Sequence, residues 1–147
     1  VAPDDAYAVL RGARSLALRM AQHEASALEV ARWLDQHPQV ARVLHPALES
    51  DPGHALWKRD FTGSSGLFGI ELHTAPTAKV HAFLDALKLF GLGFSYGGFE
   101  SLVIHCNPQL KRTASSTVFD RPLIRLSVGL EDPTDLIADL AQAFDQI

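Results

Sequence analysis

The stretch PLIRLSVGL, residues 122–130, decides the fold. Successive side chains of a β-strand point to opposite sides of the sheet, so residues of alternating polarity mark its two faces. The apolar face would consist of Ile124, Leu126, Val128 and Leu130, and the opposite face of Arg125, Ser127 and Gly129. We therefore expect a sheet with one face on a core and the other available to a ligand or to another domain.

The stretch before Pro38 predicts an unusually long helix. Pro3 is suited to a first helical turn, and the helical pattern runs to the residue before Pro38, where the chain must leave the helix. This span is about three times the mean helix length of about 11–12 residues. We expect such a helix to bend, with Gly12 as the candidate position, or to extend past the core of its own domain.

The remaining elements predict an α+β fold in a single domain. Strands are indicated at residues 40–45, 67–73 and 101–106, and an amphipathic helix at 75–91, with Gly91 as its C-cap. A last helix should begin with Asp132 as N-cap and Pro133 in its first turn. The expected architecture is a small, mainly antiparallel sheet of about four strands, with helices packed on one face and the long N-terminal helix in front.

Composition narrows the class of partner. The chain has 147 residues, a formal net charge of −4 and one cysteine. A net negative charge argues against a nucleic-acid or anionic-membrane partner, because both reward a basic surface. A lone cysteine and the lack of a recognisable signal peptide favour the cytoplasm. No spacing of histidines and cysteines indicates a metal site.

The segment GFSYG, residues 93–97, matches the G-x-S-x-G pattern of a hydrolase nucleophile elbow. That motif needs a strand before the turn and a helix after it. Here a helix precedes the segment and a strand follows it, so Ser95 is not expected to be a nucleophile. The glycines of residues 91–98 also miss the dinucleotide-binding spacing.

Arg125 is the strongest candidate for a binding residue. One interpretation is a structural ion pair with Glu131 or Asp120. The other is a guanidinium presented to a carboxylate, a geometry that arginine provides better than lysine. An aromatic loop beside it would exclude water and strengthen that contact.

Two longer segments, DALKLFGLGFSYGGFESLVIHCNP (residues 85–108) and LIRLSVGLEDPTDLIADLAQAF (residues 123–144), resemble the C-terminal domain of the Cys/Met-metabolism family of pyridoxal-phosphate enzymes. The similarity extends over essentially the whole chain. It implies that residues 1–147 are the small C-terminal domain, and that a larger domain, which holds the cofactor and the catalytic lysine, precedes it. The family is typically tetrameric.

The resemblance also implies roles for individual residues. Arg125 matches the arginine that holds the α-carboxylate of an amino-acid substrate, and Ser95 lies beside that carboxylate. Tyr96 stands where β-lyases typically carry Trp and γ-type enzymes Leu, and Phe94 where several γ-type enzymes carry Glu. Both residues favour the β-lyase branch, which cleaves the Cβ–S bond of cystathionine. Residues 107–122 match no residue of known role.

None of the four lysines stands in the sequence context of the family's catalytic lysine. The resemblance therefore implies no catalytic and no cofactor-binding residue in this chain, and no pyridoxal phosphate bound to it alone. The γ-lyases and γ-synthases remain an alternative within the family. A free-standing amino-acid-binding or regulatory module is an alternative outside it.

Overall fold

The structure, a computed structural model, describes residues 1–114 and 119–147. Within these ranges the chain forms five α-helices, a short 3₁₀ turn and five strands. The helices are α1 (Pro3–Arg14), α2 (Leu16–Asp35), α3 (His54–Asp60), α4 (Thr77–Ala86) and α5 (Pro133–Phe144). The strands are β1 (Val40–Leu44), β2 (Leu67–Leu72), β3 (Gly91–Leu92), β4 (Leu102–His105) and β5 (Leu123–Ser127). Part of the 107–122 segment, residues 115–118, lies outside the described residues.

The strands form one sheet in the order β1-β2-β5-β4-β3, with β5 at its centre. Neighbours are antiparallel except β3, which runs parallel to β4 through Gly91 and Leu92. The predicted α+β class is confirmed, and the described residues hold five strands where about four were expected. The additional strand, β3, is only two residues long and carries no alternating pattern from which it could be predicted.

The core lies between one face of the sheet and three helices, α2, α4 and α5. The apolar face predicted for residues 122–130 supplies Ile124, Leu126 and Val128, each fully buried. The helices add an apolar stripe each: Ala27, Val30, Ala31 and Leu34 from α2, Val80, Phe83 and Leu84 from α4, and Leu136, Leu140, Ala143 and Phe144 from α5. Burying these side chains contributes about 1.5–3 kcal/mol for each large one.

The opposite face is more covered than the sequence indicates. Ser127 and Gly129, expected to face a ligand or another domain, are buried. A Cβ atom on Gly129 would lie 2.3 Å from the carbonyl oxygen of Phe99, so the chain segment after β3 covers this end of the strand. Arg125 and its cross-strand neighbours Gly69 and Ile104 are half-buried, so that face stays partly accessible at the centre of the sheet.

The long N-terminal helix is interrupted, as expected, but at Ser15 instead of Gly12. Ser15 has φ −104° and ψ 6°, and both its N–H and its hydroxyl donate to the carbonyl oxygen of Gly12. The residues of α1 are exposed apart from half-buried Gly12, so this helix extends beyond the core. No helix among the described residues has the length and apolar character needed to cross a bilayer.

Of the two helix ends predicted near the site, the start of α5 is confirmed and the end of α4 is wrong. Asp132 caps α5 by accepting a hydrogen bond from the N–H of Thr134 at 2.8 Å, and Pro133 opens the helix, as predicted. Gly91 is not the C-cap of α4, because that helix ends at Ala86 and Gly91 begins β3. The buried carboxylate of Asp139 accepts from the N–H groups of residues 88–90, and these contacts replace the helical hydrogen bonds there.

Candidate functional site

Arg125 lies on the central strand, with a glycine on one side and an isoleucine on the other. In the register of the sheet it pairs with Gly69 of β2 and Ile104 of β4. Gly69 brings no side chain to this face, which leaves space beside the long arginine side chain. The strand therefore places a cation at the centre of this face, which also carries Ser127 of β5 and Glu71 of β2.

The guanidinium of Arg125 is held by the backbone of the loop that follows β3. Its Nη2 donates to three consecutive carbonyl oxygens, those of Gly93 at 3.2 Å, Phe94 at 2.7 Å and Ser95 at 3.1 Å. The Nε atom is buried and has no hydrogen-bond partner among the described residues. These contacts fix the plane of the guanidinium, and the buried Nε remains an unsatisfied donor.

The interpretation of Arg125 as half of a structural ion pair is wrong. Its contacts are to carbonyl oxygens, and the carboxylate of Glu131 is instead bound to the N–H and the hydroxyl of Ser101. In residues 1–114 and 119–147 the only ion pair joins Arg59 and Asp60, which are neighbours in sequence. A positive charge without a carboxylate partner is consistent with an anionic ligand.

The loop places the other predicted site residues around Arg125, but it does so through its backbone. Ser95 contributes its carbonyl oxygen, and the side chains of Phe94 and Tyr96 are 64% and 68% exposed. Gly97 has φ +74°, a conformation that favours glycine, and it turns the chain back towards the sheet. Two exposed aromatic rings beside a held cation can form the wall of a pocket once a ligand or a further domain covers them.

A cavity of about 330 Å³ lies beside the loop and includes Phe94, Ile104, His81 and His105 in its lining. Burial, together with the charge of His81, lowers the pKa of His105. On the other side of the strand, burial raises the pKa of the Cys106 thiol, and the guanidinium of Arg125 opposes this shift.

Two residues that shape the loop were missed from the sequence as site residues. Glu131 holds the returning end of the loop at Ser101, and Asp139 holds the residues that lead into β3. Asp139 carries a signal that could have identified it, because a carboxylate on the buried stripe of α5 between Leu136 and Leu140 requires hydrogen-bond donors. Glu131 carries no such signal, since its partner is 30 residues away in sequence.

The side chains present fit the recognition of a substrate carboxylate better than the attachment of a cofactor. The four lysines, Lys58, Lys79, Lys88 and Lys111, are all exposed. Lys79 donates to the carbonyl oxygen of Gln146, at the C-terminal end of the chain. In the part of the chain that the structure describes, none of the four belongs to the lining of the cavity at Phe94 and Ile104, and neither does Arg125.

Comparisons with known proteins show the family to which this chain belongs. The family model for Cys/Met metabolism PLP-dependent enzymes matches residues 1–145. The chain is 53% identical to a putative cystathionine beta-lyase of Rhizobium johnstonii, over 97% of this chain and 37% of that protein. It is 49% identical to the cystathionine beta-lyase MetC of Escherichia coli, over 98% of this chain and 38% of that protein.

A solved structure of cystathionine gamma synthase from Xanthomonas oryzae pv. oryzae, in complex with aminoacrylate and cysteine, has the same fold. It superposes with a TM-score of 0.85 at 36% identity, over 98% of this chain and 38% of that chain. The chain therefore spans well under half the length of the relatives it matches.

Proposed function

This chain belongs to the Cys/Met metabolism family of PLP-dependent enzymes, and we propose that it is the substrate-binding C-terminal domain of a carbon–sulfur lyase. The proposed reaction of the whole protein is that of a cystathionine β-lyase. Cystathionine and water give homocysteine, pyruvate and ammonia, and the bond that breaks is the Cβ–S bond. The proposed partners are a preceding cofactor-binding domain and further copies of the whole protein, in keeping with the tetramers typical of the family.

The contact of Arg125 with the loop carries this proposal. Three carbonyl oxygens hold one nitrogen of the guanidinium, and a buried Nε is left without a partner among the described residues. A carboxylate can accept from the guanidinium donors that the loop does not use, through charge-assisted hydrogen bonds that are about twice as strong as neutral ones. We infer that Arg125 binds the α-carboxylate of the amino-acid substrate and orients its reacting carbon.

The exposed rings of the loop complete the proposed pocket. Phe94 and Tyr96 would exclude water from the contact between Arg125 and the carboxylate, which strengthens the electrostatic attraction. Pyridoxal phosphate, when bound in the whole protein, supplies an electron sink for the elimination. Since the lysines of this chain are exposed and none stands in the sequence context of the family's catalytic lysine, we propose that the lysine that holds the cofactor belongs to the preceding domain.

The choice of β- over γ-elimination depends on the same two side chains. An apolar Phe94 places no carboxylate in the distal pocket, where several γ-type enzymes have one. The relatives reported above at about 50% identity are β-lyases, which supports the same choice. The γ-synthase structure shares the fold at lower identity, so a γ-type reaction is the second candidate.

Product analysis of the whole protein separates the two reactions. Purified protein is given pyridoxal phosphate and cystathionine, and the keto acid released is identified. Pyruvate and homocysteine support β-elimination, whereas 2-oxobutyrate and cysteine show γ-elimination. As a control, the 147-residue chain alone should give neither product and no absorption band of a Schiff base. Turnover by that chain, with such a band, would place the catalytic lysine in it.

A further inference from the structure

The loop between β3 and β4 is attached at its returning end to the segment that leaves β5. The carboxylate of Glu131 accepts from the N–H of Ser101 at 2.7 Å and from its hydroxyl at 2.8 Å. The same hydroxyl accepts from the N–H of Gly129 at 2.8 Å. Ser101 is fully buried, so its N–H and its hydroxyl cannot use water in place of Glu131.

The backbone of the loop lies directly on the same segment. The N–H of Leu130 donates to the carbonyl oxygen of Phe99 at 2.9 Å. A Cβ atom on Gly129 would lie 2.3 Å from that oxygen and 2.6 Å from the carbonyl carbon of Glu100. The returning limb of the loop, residues 99–101, is therefore packed directly on the sheet, and Glu131 holds it there.

The outgoing limb of this loop, residues 93–95, is the part that holds Arg125. The carbonyl oxygens of residues 93–95 accept from Nη2, and Glu131 holds the chain at Ser101, six residues beyond Ser95. Both anchors, Arg125 and Glu131, belong to β5 or to the segment just after it. A movement of the returning limb is thereby transmitted to the carbonyl oxygens that orient the guanidinium.

We propose that Glu131 is a positioning residue for the binding of the substrate carboxylate, acting through Ser101 and the loop on Arg125. This inference rests on the proposed function of Arg125. Without the carboxylate of Glu131, the buried N–H of Ser101 has lost its partner, and the loop moves to satisfy it. The carbonyl oxygens of residues 93–95 then move away from Nη2, and the guanidinium meets the substrate in the wrong orientation.

The test compares Glu131→Ala and Glu131→Gln in the whole protein. Glu131→Ala is expected to raise KM for the amino-acid substrate between about ten- and a hundredfold, with a smaller change in kcat, because a misplaced contact costs binding of the substrate. Glu131→Gln keeps an oxygen for the N–H of Ser101, but its amide nitrogen can only donate to the hydroxyl and cannot accept from it, so KM should return part of the way to the wild-type value. Glu131→Met, which is similar in size but offers the N–H of Ser101 no carbonyl or carboxylate oxygen, should not restore KM, whereas a purely packing role predicts that both variants do.

Glu24 provides a matched control. Its carboxylate accepts from the N–H of Ser64 at 2.9 Å and from the hydroxyl of Ser64 at 3.3 Å, the same arrangement in a different connection. Glu24→Ala should leave KM within about twofold of the wild-type value. A larger rise would show that the loss of any such contact between a glutamate and a serine raises KM. A KM within twofold of wild type for Glu131→Ala overturns the proposal, whatever happens to the melting temperature.

Amide hydrogen exchange supplies a readout that is independent of turnover. In Glu131→Ala, and also in Ser101→Ala if the first variant folds poorly, the amides of residues 101, 129 and 130, which join the loop to the segment after β5, should exchange at least about tenfold faster, because their opening becomes easier. In Glu24→Ala they should not. Unchanged exchange in both loop variants contradicts the proposal. If exchange is faster in Glu131→Ala but Arg125→Ala leaves KM unchanged, the proposed role of Arg125 is wrong.

Discussion

The Nη2 atom of Arg125 donates to the backbone carbonyl oxygen of Phe94 across 2.7 Å, and this contact joins the central strand to the loop. Because the acceptor is main chain, the position of the guanidinium is independent of which side chain stands at residue 94. The loop can therefore vary the wall of the pocket while the carboxylate-binding group stays in place. The backbone of the loop thus orients the guanidinium, whereas its side chains form the wall of the proposed pocket.

Replacing Phe94 or Tyr96 with alanine should affect catalysis without affecting stability. Both rings are largely exposed, at 64% and 68%, so their removal should change the free energy of unfolding of the chain by less than about 0.5 kcal/mol. In the whole protein the loss of an apolar wall should lower kcat/KM for cystathionine by about tenfold or more. Phe61, a phenylalanine that is 65% exposed in another connection, is the control for kcat/KM. A large loss of stability with unchanged kcat/KM would show that the two rings stabilise the fold and do not form a wall of the substrate pocket.

Gly129→Ala should destabilise the chain by about 1–3 kcal/mol, because the new methyl group would overlap backbone atoms that have no free space to move into. Those atoms are the carbonyl oxygen of Phe99 and the carbonyl carbon of Glu100. Gly12→Ala is the matched control, since nothing lies within 4 Å of its added Cβ and it sits in α1. That change should stabilise the helix by about 0.5–1 kcal/mol. Urea unfolding of the two variants measures both values, and a neutral Gly129→Ala would show that the loop is not fixed at this point.

The stability of the chain should fall as the pH falls below about 6.5, the ordinary pKa of histidine. Burial lowers the pKa of His45, and also those of His37 and His105. The imidazole of His45 is 2% exposed, and its Nδ1 accepts from the N–H of Ala47 at 3.3 Å. The folded state therefore favours neutral imidazole, and the unfolded state binds more protons as the pH drops through that range.

His45→Gln tests this pH dependence. The variant should lose less stability between pH 7 and pH 5 than the wild-type chain, whatever its stability at pH 7. One fully bound proton changes the free energy of unfolding by at most about 1.4 kcal/mol per pH unit. His73→Gln, a change of an exposed histidine, is the control. If the His45 variant follows the wild-type profile, the imidazole of His45 does not contribute to acid sensitivity.

Local patterns predicted most of the elements, and contacts distant in sequence account for what was missed. The apolar alternation around Ile124 and the cap at Asp132 depend on neighbouring residues only, and both were predicted correctly. The early end of α4 depends on Asp139, about 50 residues further along the chain, and no property of residues 75–91 reveals it. Gly12 was a reasonable position for a bend by propensity, but it is Ser15, three residues later, that leaves the helical conformation.

In the candidate site, too, the key residue could be predicted from its neighbours in sequence, but its distant contacts could not. Arg125 could be identified because a cation on the non-core face of a strand has few structural explanations. Its acceptors could not be predicted, since backbone carbonyl oxygens carry no residue identity and any loop offers them. For the same reason Glu131 was matched with Arg125 by charge, whereas the fold pairs it with Ser101.

Arg125→Ala in the whole protein tests the central claim most directly. If Arg125 binds the α-carboxylate, the variant should lose about 2–4 kcal/mol in the transition state, roughly 30- to 850-fold in kcat/KM, mainly as a higher KM. Arg125→Lys should fall in between, because it keeps the charge but not the planar fork of donors. Arg42, an exposed arginine on β1, is the matched control, and Arg42→Ala should leave both constants unchanged. Wild-type values of KM and kcat for Arg125→Ala would contradict the account and remove Arg125 from the site.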